Sequence, residues 1–221
     1  MISYYENPRM LERQLSNFRD YEPQVRDHVT LILVDDGSPR APARIESCPV
    51  KHKLYRHLVD VRWNQHACRN LGVSQAETEW VVMTDIDHLV PRETAQALVY
   101  DKHDAERAYR FSRVLAPGLI RHKPHANSWF MARSLFDRCG GYDERFAGIY
   151  GTDSDFGHRL KRRARVQMLQ ENLVLIPRAL VADASTTHYE RTLEPDRIRQ
   201  IVETRGADEP VRLTFPWERV S

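Results

Sequence analysis

The stretch that decides the fold is Val29-Thr30-Leu31-Ile32-Leu33-Val34, followed at once by Asp35-Asp36-Gly37-Ser38-Pro39. The nearly continuous apolar run is typical of a strand that is buried on both faces of a parallel sheet. The abrupt change to acidic and small residues predicts a strand end and a polar loop. The stretch therefore predicts an α/β protein with polar side chains collected where strands end.

Strands and helices alternate in the rest of the first half. The predicted strands are Ile2–Tyr5, Leu54–Val61 and Trp80–Thr84, and the predicted helices follow Pro8, Asn64 and Pro91. Proline is favoured in the first turn of a helix, so Pro8 and Pro91 support the starts of two of these helices. The repeated order of strand and helix predicts a mixed, mostly parallel sheet flanked by helices in a single compact domain.

The regular alternation weakens after about residue 104. The predicted elements are strands at Tyr109–Val114, Ser128–Ala132 and Leu173–Ile176, and helices at Ser134–Cys139, Asp153–Ala164 and Glu194–Glu203. The residues from Gly206 onward predict a loosely held arm.

The composition limits the class of protein. The chain has 221 residues, 41% of them apolar, and its 33 basic and 31 acidic side chains leave a formal charge of +2, which argues against a general nucleic-acid coat. Its longest apolar runs, Val29–Val34 and Trp80–Met83, are far shorter than the ~20 residues of a membrane span. We therefore expect no transmembrane segment and a cytoplasmic protein, with contact to a membrane surface left open.

The sharpest signal of a site is Asp85-Ile86-Asp87, at the end of the fourth predicted strand. Side chains two apart on an extended segment point the same way, so Asp85 and Asp87 can present two carboxylates to one hard cation. Mg²⁺ and Mn²⁺ accept such ligands and can bridge diphosphate oxygens. A solvated turn is the alternative for an isolated motif of this kind.

Two other groups are placed where an open sheet binds ligands, beyond the carboxyl ends of its strands. Asp35 and Asp36 follow the second strand, and a tight turn is the alternative explanation for them. Arg69 and Asn70 fall near the start of a helix, where a guanidinium and main-chain amides can meet a phosphate. The alternative for Arg69 is an ordinary surface cation.

The order and spacing of these motifs resemble the nucleotide-sugar-binding half of family 2 glycosyltransferases with the GT-A fold, a Rossmann-like sheet flanked by helices. The matching stretches are Val34–Ser38, Ala67–Gly72 and Thr84–Asp87 followed by Pro91. A later region is similar to the acceptor-side motif shared with the galactosyltransferase C-terminal domain: Ser128–Arg133, Gly140–Phe146 and Gly151–Asp155. The resemblance covers residues 1–190.

This resemblance implies a GT-A domain over residues 1–205, with a nucleotide-sugar-binding half at 1–103, an acceptor and catalytic half at 104–190, and a C-terminal tail at 206–221. It implies an enzyme that uses Mn²⁺ or Mg²⁺ to move a sugar, with inversion, from a nucleotide-diphosphate donor to a hydroxyl. A UDP-sugar is the first expectation for the donor. The acceptor stays open among a glycan, a lipid-linked glycan, a protein and a modified nucleic acid.

The resemblance also implies roles for individual residues. On the donor side, Ser3 or Tyr4 and Asp36 would contact the nucleoside, Asp36 by accepting from a uracil ring, and Asp85 would contact the ribose or the metal. The remaining implied donor and metal residues are Arg69 and Asn70 at the donor, Asp87 as principal metal ligand, and His188 as a further metal ligand from the C-terminal segment. A histidine would favour Mn²⁺. The alternative for His188 is a solvated loop residue.

On the acceptor side, the resemblance implies Asp153 as the catalytic base. Thr152 replaces the usual glutamate of the family, and Thr152 and Asp155 are predicted acceptor-binding residues. Trp129 is a further candidate for the acceptor, as an aromatic platform on which a sugar can stack. The structural alternative for Thr152 and Asp155 is a capping box at the start of the helix, and the alternative for Trp129 is packing in the core. The basic run Phe156–Arg165 predicts a solvated helix face, with an anionic acceptor or a membrane surface as the alternative.

Two other functions were weighed against a glycosyltransferase. A nucleotidyltransferase would more naturally show a glycine-rich loop after the first strand, and Tyr4–Pro8 contains no glycine. A non-catalytic protein that binds sugar or nucleic acid could keep the same fold, but retention of Asp85, Asp87 and Asp153 argues against lost activity.

Overall fold

The structure is a computed structural model that describes residues 1–117, 120–186, 189–206 and 210–221. The strands within these ranges are β1 Ile2–Tyr4, β2 Thr30–Asp35, β3 Lys51–His57, β4 Trp80–Asp85, β5 His88–Leu89, β6 Arg107–Leu115, β7 Ile120–His122, β8 Trp129–Ala132, β9 Arg165–Leu175 and β10 Trp217–Arg219. The helices are α1 Pro8–Arg19, α2 Pro23–Asp27, α3 Gln65–Ser74, α4 Arg92–Tyr100, α5 Arg133–Arg138, α6 Ser154–Arg163 and α7 Pro195–Arg205.

All described strands belong to one mixed sheet. Its order is β10-β3-β2-β1-β4-β8-β6-β9-β5, with β7 paired to the side of β6. Strands β3, β2, β1 and β4 are mutually parallel, whereas β8 runs antiparallel to β4. The predicted α/β class is therefore confirmed, and the parallel part of the sheet carries the motifs of the first half.

Strand β2 lies at the centre of this parallel part and is covered on both faces. Its residues Leu31–Val34 are all at most 5% exposed. Ile32 and Val34 pack on the side of α3, while Leu31 and Leu33 pack on the side of α1. Burial on both faces explains why the sequence of this strand shows no alternation.

Several elements differ from the sequence-based expectation, among them strands β5, β7 and β10, for which the sequence analysis gives no strand. Strand β9 begins at Arg165, eight residues before the predicted Leu173, and pairs in parallel with β6. Its first residues are mostly exposed and polar, so no apolar pattern marks them as a strand. The short helix α2 was also not predicted.

The C-terminal residues are packed against the sheet. Strand β10 pairs antiparallel with β3, and the main chain of Leu54 is bonded to Val220 and Ser221 at 2.8 and 2.9 Å. Glu144 accepts hydrogen bonds from the main-chain N–H groups of Leu213 and Thr214 at 2.7 and 2.8 Å. The expectation of a loosely held arm is thus wrong for the described part. Main-chain pairing with β3 and hydrogen bonds to the carboxylate of Glu144 hold this segment, and neither kind of contact produces an apolar pattern in the sequence.

Candidate active site

The carboxyl ends of β1, β2 and β4 meet at one edge of the sheet. In the strand register, Tyr4 pairs with Asp35, and Ser3 pairs with both Val34 and Asp85. The buried side-chain atoms without a hydrogen-bond partner among the described residues include four here: Ser3 Oγ, Asp36 Oδ1, Asn64 Oδ1 and Asn64 Nδ2. Buried polar atoms normally have partners, so this group marks a place for a polar ligand.

Asp35 and Asp36 have different surroundings. Asp35 accepts hydrogen bonds from the main chain of Ser38 at 2.9 Å and Ala43 at 2.8 Å, so it shapes the loop. Asp36 is 7% exposed, and burial, the largest cause, raises its pKa to about 7. Asp36, as predicted for a nucleoside contact, is therefore the residue of the two that keeps a carboxylate oxygen for a ligand.

Tyr4 is placed differently from Ser3. Its hydroxyl donates to the main-chain oxygen of Ala41 at 2.6 Å, and the side chain is 1% exposed. Tyr4 therefore anchors the loop after β2, whereas the hydroxyl of Ser3 keeps a free position among the described residues. Of the two alternatives for a nucleoside contact, the geometry favours Ser3.

Arg69 lies beneath the acidic motif. It is 0% exposed and donates to Asp85 and, at 2.9 Å, to Gln65. Burial alone would raise the pKa of Asp85, but the charge of Arg69, aided by the neighbouring histidines, holds it below its ordinary value. Nε and Nη1 of Arg69 have no partner among the described residues, so the guanidinium retains donors for an anion.

Asn70 does not contribute to this group. Its amide donates to the main chain of Tyr142 and to Glu144, and accepts from the main-chain N–H of Tyr142, each at 2.8 Å. These bonds join α3 to the second half of the chain and use the amide fully. The predicted donor contact of Asn70 is therefore not supported by its position, because a sequence does not tell which way a helical side chain faces.

Asp85, Asp87 and His88 form a cluster that could hold a metal ion. One ligand atom from each lies within 4.8 Å of the others. Carboxylate oxygens and an imidazole nitrogen suit Mn²⁺ and, for the carboxylates, Mg²⁺. The predicted pair Asp85 and Asp87 is thus brought together, and a histidine that the sequence analysis did not single out lies directly beside it.

The protonation of His88 follows from its contacts. Nη1 of Arg113 lies 3.2 Å from Nε2 of His88, and a guanidinium can only donate, so Nε2 is the acceptor. The proton of the neutral ring is then on Nδ1, which lies 2.6 Å from Oδ1 of Asp87. In this arrangement His88 orients the carboxylate of Asp87, as a histidine beside a metal ligand often does.

His125 approaches the same cluster from the loop between β7 and β8. Its Nδ1 lies 3.3 Å from Oδ2 of Asp85 and 3.4 Å from the main-chain nitrogen of Asn127. The sequence analysis assigned no role to His125. No local pattern could have found it, because the loop is placed by contacts with distant strands.

Asp153 directly precedes α6 and forms no side-chain cap with it. Its Oδ1 accepts a hydrogen bond from Nδ2 of Asn127 at 2.8 Å. Thr152 is 4% exposed, and its hydroxyl lies 3.4 Å from the oxygen of Ile149 and 3.5 Å from Nε2 of His66. The capping box is therefore not formed, and the carboxylate of Asp153 is not used as a helix cap.

The side chain of Trp129 is packed in the core. It is 1% exposed, contacts Phe156 edge to face, and lies under the guanidinium of Arg110 at 4.3 Å from the ring centre. Its Nε1 donates to the main-chain oxygen of Ala126 at 2.8 Å. The predicted stacking of an acceptor on Trp129 would require these contacts to open.

Asp155, predicted to bind the acceptor, belongs to a buried ion-pair network. It accepts from Nη2 of Arg205 at 2.8 Å and from Nε of Arg159 at 2.9 Å, while Arg205 also donates to Asp143 at 3.1 Å. Burial alone would raise the pKa of Asp155, but the hydrogen bonds from Arg205 and the charge of Arg159 hold it below its ordinary value. Asp155 is thus fully used in holding α7 against α6.

Removing Arg205 should destabilise the fold. Arg205→Ala removes the cation shared by two carboxylates, each of which keeps a second arginine (Arg159 at Asp155 and Arg145 at Asp143), so the loss of charged hydrogen bonds should cost about 2 kcal/mol. Because the folded-state pKa of Asp155 is depressed, this contribution is present near neutral pH and disappears as the pH falls below about 4. Urea unfolding at pH 7 and pH 3.5 measures both effects.

The control for this prediction is Arg199→Ala on the same helix. Arg199 is 65% exposed and pairs with the exposed Asp196, so its loss should cost less than about 1 kcal/mol. Equal stability of the Arg205 and Arg199 variants at pH 7 would show that the buried network does not stabilise the protein.

Three further features concern the predicted site and its surroundings. His188 lies outside the described residues, so its role as a metal ligand stays a prediction. The exposed residues Lys161–Arg163 at the end of α6 agree with a solvated helix face. Each helix that the structure describes is too short or too polar to span a bilayer.

A mixed sheet with an acidic pair at the end of a central parallel strand, and a carboxylate directly before a helix in the second half, has the architecture of the GT-A fold. Residues 3–100 match the model of the family described as "Glycosyltransferase like family 2". The resemblance to family 2 glycosyltransferases is therefore confirmed over this region of the chain. No curated protein matches the sequence significantly.

Solved structures of glycosyltransferases share the fold. Residues 1–349 of S. aureus TarS in complex with UDP-GlcNAc superpose with a TM-score of 0.62 at 14% identity, over 94% of this chain and 66% of that chain. TarS 1–349 alone gives 0.56 at 15% identity, over 83% and 61%. GalNAc-T7 with UDP, GalNAc and Mn²⁺ gives 0.58 at 11% identity, over 80% and 43%. The present chain thus spans about two thirds or less of these proteins.

Proposed function

We propose that the protein is an inverting glycosyltransferase that moves a sugar from a nucleotide-diphosphate donor to a hydroxyl acceptor, with a divalent metal at Asp87 and Asp85 and with Asp153 as the base. A UDP-sugar is the proposed donor. The acceptor stays open among a glycan, a lipid-linked glycan, a protein and a modified nucleic acid. A cytoplasmic location, with or without contact to a membrane surface, also stays a prediction.

One observation supports this proposal above the others: a single loop contacts both a carboxylate of the acidic motif and the proposed base. His125 lies 3.3 Å from Asp85, and Asn127, two residues later, donates to Asp153 at 2.8 Å. Only one residue of the loop, Ala126, therefore separates the side chain that contacts Asp85 from the side chain that contacts the proposed base. A transfer reaction needs both ends in one cleft, because the acceptor oxygen must attack the carbon that the diphosphate leaves.

Each residue then has a chemical task. The unpartnered Nε and Nη1 of Arg69 can donate to the departing diphosphate, while Asp36 and Ser3 can hold the nucleoside. A divalent cation, when bound, would neutralise charge that builds on the diphosphate. Asp153 would take the proton of the acceptor hydroxyl as the new bond forms. A single base on the acceptor side agrees with direct displacement and hence with inversion.

The similar structures bear on the choice of donor and metal. TarS was solved with UDP-GlcNAc, and GalNAc-T7 was solved with UDP, GalNAc and Mn²⁺. These ligands belong to those proteins, and their identity to this chain is low. Together with the carboxylate ligands of the present cluster, which suit Mn²⁺ and Mg²⁺ alike, they make a UDP-sugar with Mn²⁺ the first combination to test.

A thermal-shift screen of nucleotide sugars, with and without Mn²⁺ or Mg²⁺, tests the function. A ligand at a hundred times its dissociation constant stabilises the folded state by about 2.7 kcal/mol. We expect a shift with UDP-sugars that needs the metal, followed by release of UDP over time. Metal alone and UDP-free sugar are the controls. Absence of any shift and of UDP release across the nucleotide sugars would contradict the proposal.

Binding of the uracil ring should depend on the charge of Asp36. Burial raises the pKa of Asp36 to about 7. Only the ionised carboxylate has both oxygens free of a proton, so only this form can accept from the ring N–H with either oxygen. Lowering the pH from 8 to 6 reduces the ionised fraction about tenfold, so affinity should fall by about the same factor. Uridine, observed by NMR titration, is the probe because it carries no phosphate that titrates in this range.

The variant Asp36→Asn serves as the control for this pH dependence. It keeps the shape of the side chain and cannot ionise, so uridine binding should be weaker than in the wild type at pH 8 and nearly constant with pH. Wild-type binding that does not change between pH 6 and pH 8 would remove Asp36 from the proposed nucleoside contact.

A further inference from the structure

The loop between β7 and β8 carries three consecutive residues, His125–Asn127, that we call the strap. The strap passes between the acidic cluster at the end of β4 and the start of α6. At one end His125 faces Asp85, and at the other end Asn127 donates to Asp153. It is the element that brings a polar side chain to the proposed base.

The orientation of the Asn127 amide is determined by chemistry. An ionised carboxylate can only accept, so the amide nitrogen must face Oδ1 of Asp153, at 2.8 Å. Asn127 is 1% exposed, and its own Oδ1 has no partner among the described residues. The side chain is therefore committed to Asp153 although one of its polar atoms is left unsatisfied.

The strap is itself held from several sides. Arg110 donates to the main-chain oxygen of His125 at 2.5 Å, and Trp129 donates to that of Ala126 at 2.8 Å. Ser128, which follows the strap, has its hydroxyl 3.1 Å from the hydroxyl of Thr84 in β4. These bonds fix the main chain on both sides of Asn127, so its amide is placed before any ligand binds.

The other ionisable groups near Asp153 cannot do the same task. His66 and Arg69 lie on α3, and Tyr142 lies in the segment between α5 and α6. Burial lowers the pKa of His66 below its ordinary value, and Arg69 is bonded to Asp85. A neutral amide holds a carboxylate without offering it a proton and without adding a full charge that would weaken it as a base.

We propose that Asn127 is a positioning residue that fixes the carboxylate of Asp153 with one oxygen occupied and the other directed to the acceptor hydroxyl. This inference rests on the proposed function, since it assigns Asn127 a task within that reaction. It gives a reason for the hydrogen bonds that Arg110 and Trp129 donate to the loop, because these bonds hold the strap that carries Asn127. It also gives the protein's second half a fixed link to the donor site through His125.

The test is a double-mutant cycle of Asn127→Ala with Asp153→Asn. The assay measures UDP release from the UDP-sugar that gives the largest thermal shift with the wild type, and calorimetry measures UDP binding with Mn²⁺. In the wild-type background we expect kcat to fall about 10- to 100-fold, the worth of a hydrogen bond to a charged group, with UDP affinity unchanged. In the Asp153→Asn background the same change should cost almost nothing, because the group on which it acts is gone.

Two further variants keep the test decisive. Asn127→Asp has the same shape, cannot donate when ionised, and repels Asp153, so kcat should fall at least as far as with alanine. Asn17→Ala lies outside the site and removes a hydrogen bond, also of 2.8 Å, from the side-chain amide to the main-chain oxygen of Val90. This variant should keep the wild-type kcat. Circular dichroism checks that each variant is folded.

The possible outcomes separate this inference from the proposed function. A wild-type protein that releases no UDP from any nucleotide sugar contradicts the proposed function itself. If the wild type is active, normal kcat in Asn127→Ala overturns the positioning role. An equal loss with and without Asp153→Asn also overturns it, because the effect would then not pass through the base.

Discussion

Replacing Asp153 with asparagine is expected to lower turnover by ~10²–10⁴-fold, the usual contribution of a general base. The amide keeps the shape of the side chain but cannot take the acceptor proton. Binding of UDP should be nearly unchanged, because the donor-side residues lie on the first half of the chain. Turnover is measured as UDP release under saturating donor, and affinity by calorimetry with Mn²⁺.

The neighbouring Ser154 provides a matched control for this variant. It is exposed and begins α6, so Ser154→Ala should keep the wild-type turnover. A normal rate in Asp153→Asn would leave Asp153 with only a structural role at the start of the helix. A loss of UDP binding as large as the loss of rate would instead show that the substitution disturbs the donor site.

Replacing Asp87 with alanine is expected to abolish metal-dependent binding of the donor. A cation at this site has few protein ligands and depends for the rest on water and phosphate, so one carboxylate is a large share of the total. His88 also loses the partner that its Nδ1 faces at 2.6 Å. Calorimetry of UDP with and without Mn²⁺ measures the effect.

The control is Asp101→Ala, which removes an exposed carboxylate beyond the end of α4. It changes the net charge by the same amount and should leave UDP binding unaltered. The variant Asp87→Asn tests whether the shape of the side chain is enough for metal binding. We expect this variant to bind Mn²⁺ poorly because it lacks the charge of the carboxylate. UDP affinity that is equal in Asp87→Ala and the wild type, with Mn²⁺ present, would disprove the metal assignment.

The first half of the fold follows from its sequence because burial and pattern agree there. A strand covered on both faces must be apolar throughout, and the covered strand β2 is. Strand β9 escaped detection for the opposite reason: its exposed, polar beginning is held by pairing with β6, which is distant in sequence. Main-chain pairing of this kind leaves no trace in the local pattern.

The candidate site was predictable where it depends on strand ends. Asp36, Asp85 and Asp87 follow buried strands, and the parallel register brings them to one edge of the sheet. Asn70 and Trp129 were expected to face ligands, but their side chains are occupied within the protein. The sequence shows which residues are near the site, and tertiary contacts decide which of them keep polar atoms that are not already hydrogen-bonded within the protein.

Asn127 and His125 could not be found from the sequence for a related reason. Their loop has no regular structure, and its course is set by Arg110 and Trp129, which lie on the neighbouring strands β6 and β8. A residue placed in this way has no characteristic spacing from the group that it serves. Its partner becomes visible only when the loop is placed.

The pairing of β10 with β3 has a consequence for dissecting the protein. The region that matches the family model ends at residue 100, yet the outer edge of its sheet is completed by Trp217–Arg219. Glu144 in turn takes bonds from both Asn70 and the segment before β10. The region matched by the family model is therefore no separable module: cut out by itself, it would expose the main chain of β3 to pairing with other molecules. Anything fused to or pulling on the C-terminal residues would act directly on the sheet that carries the donor site.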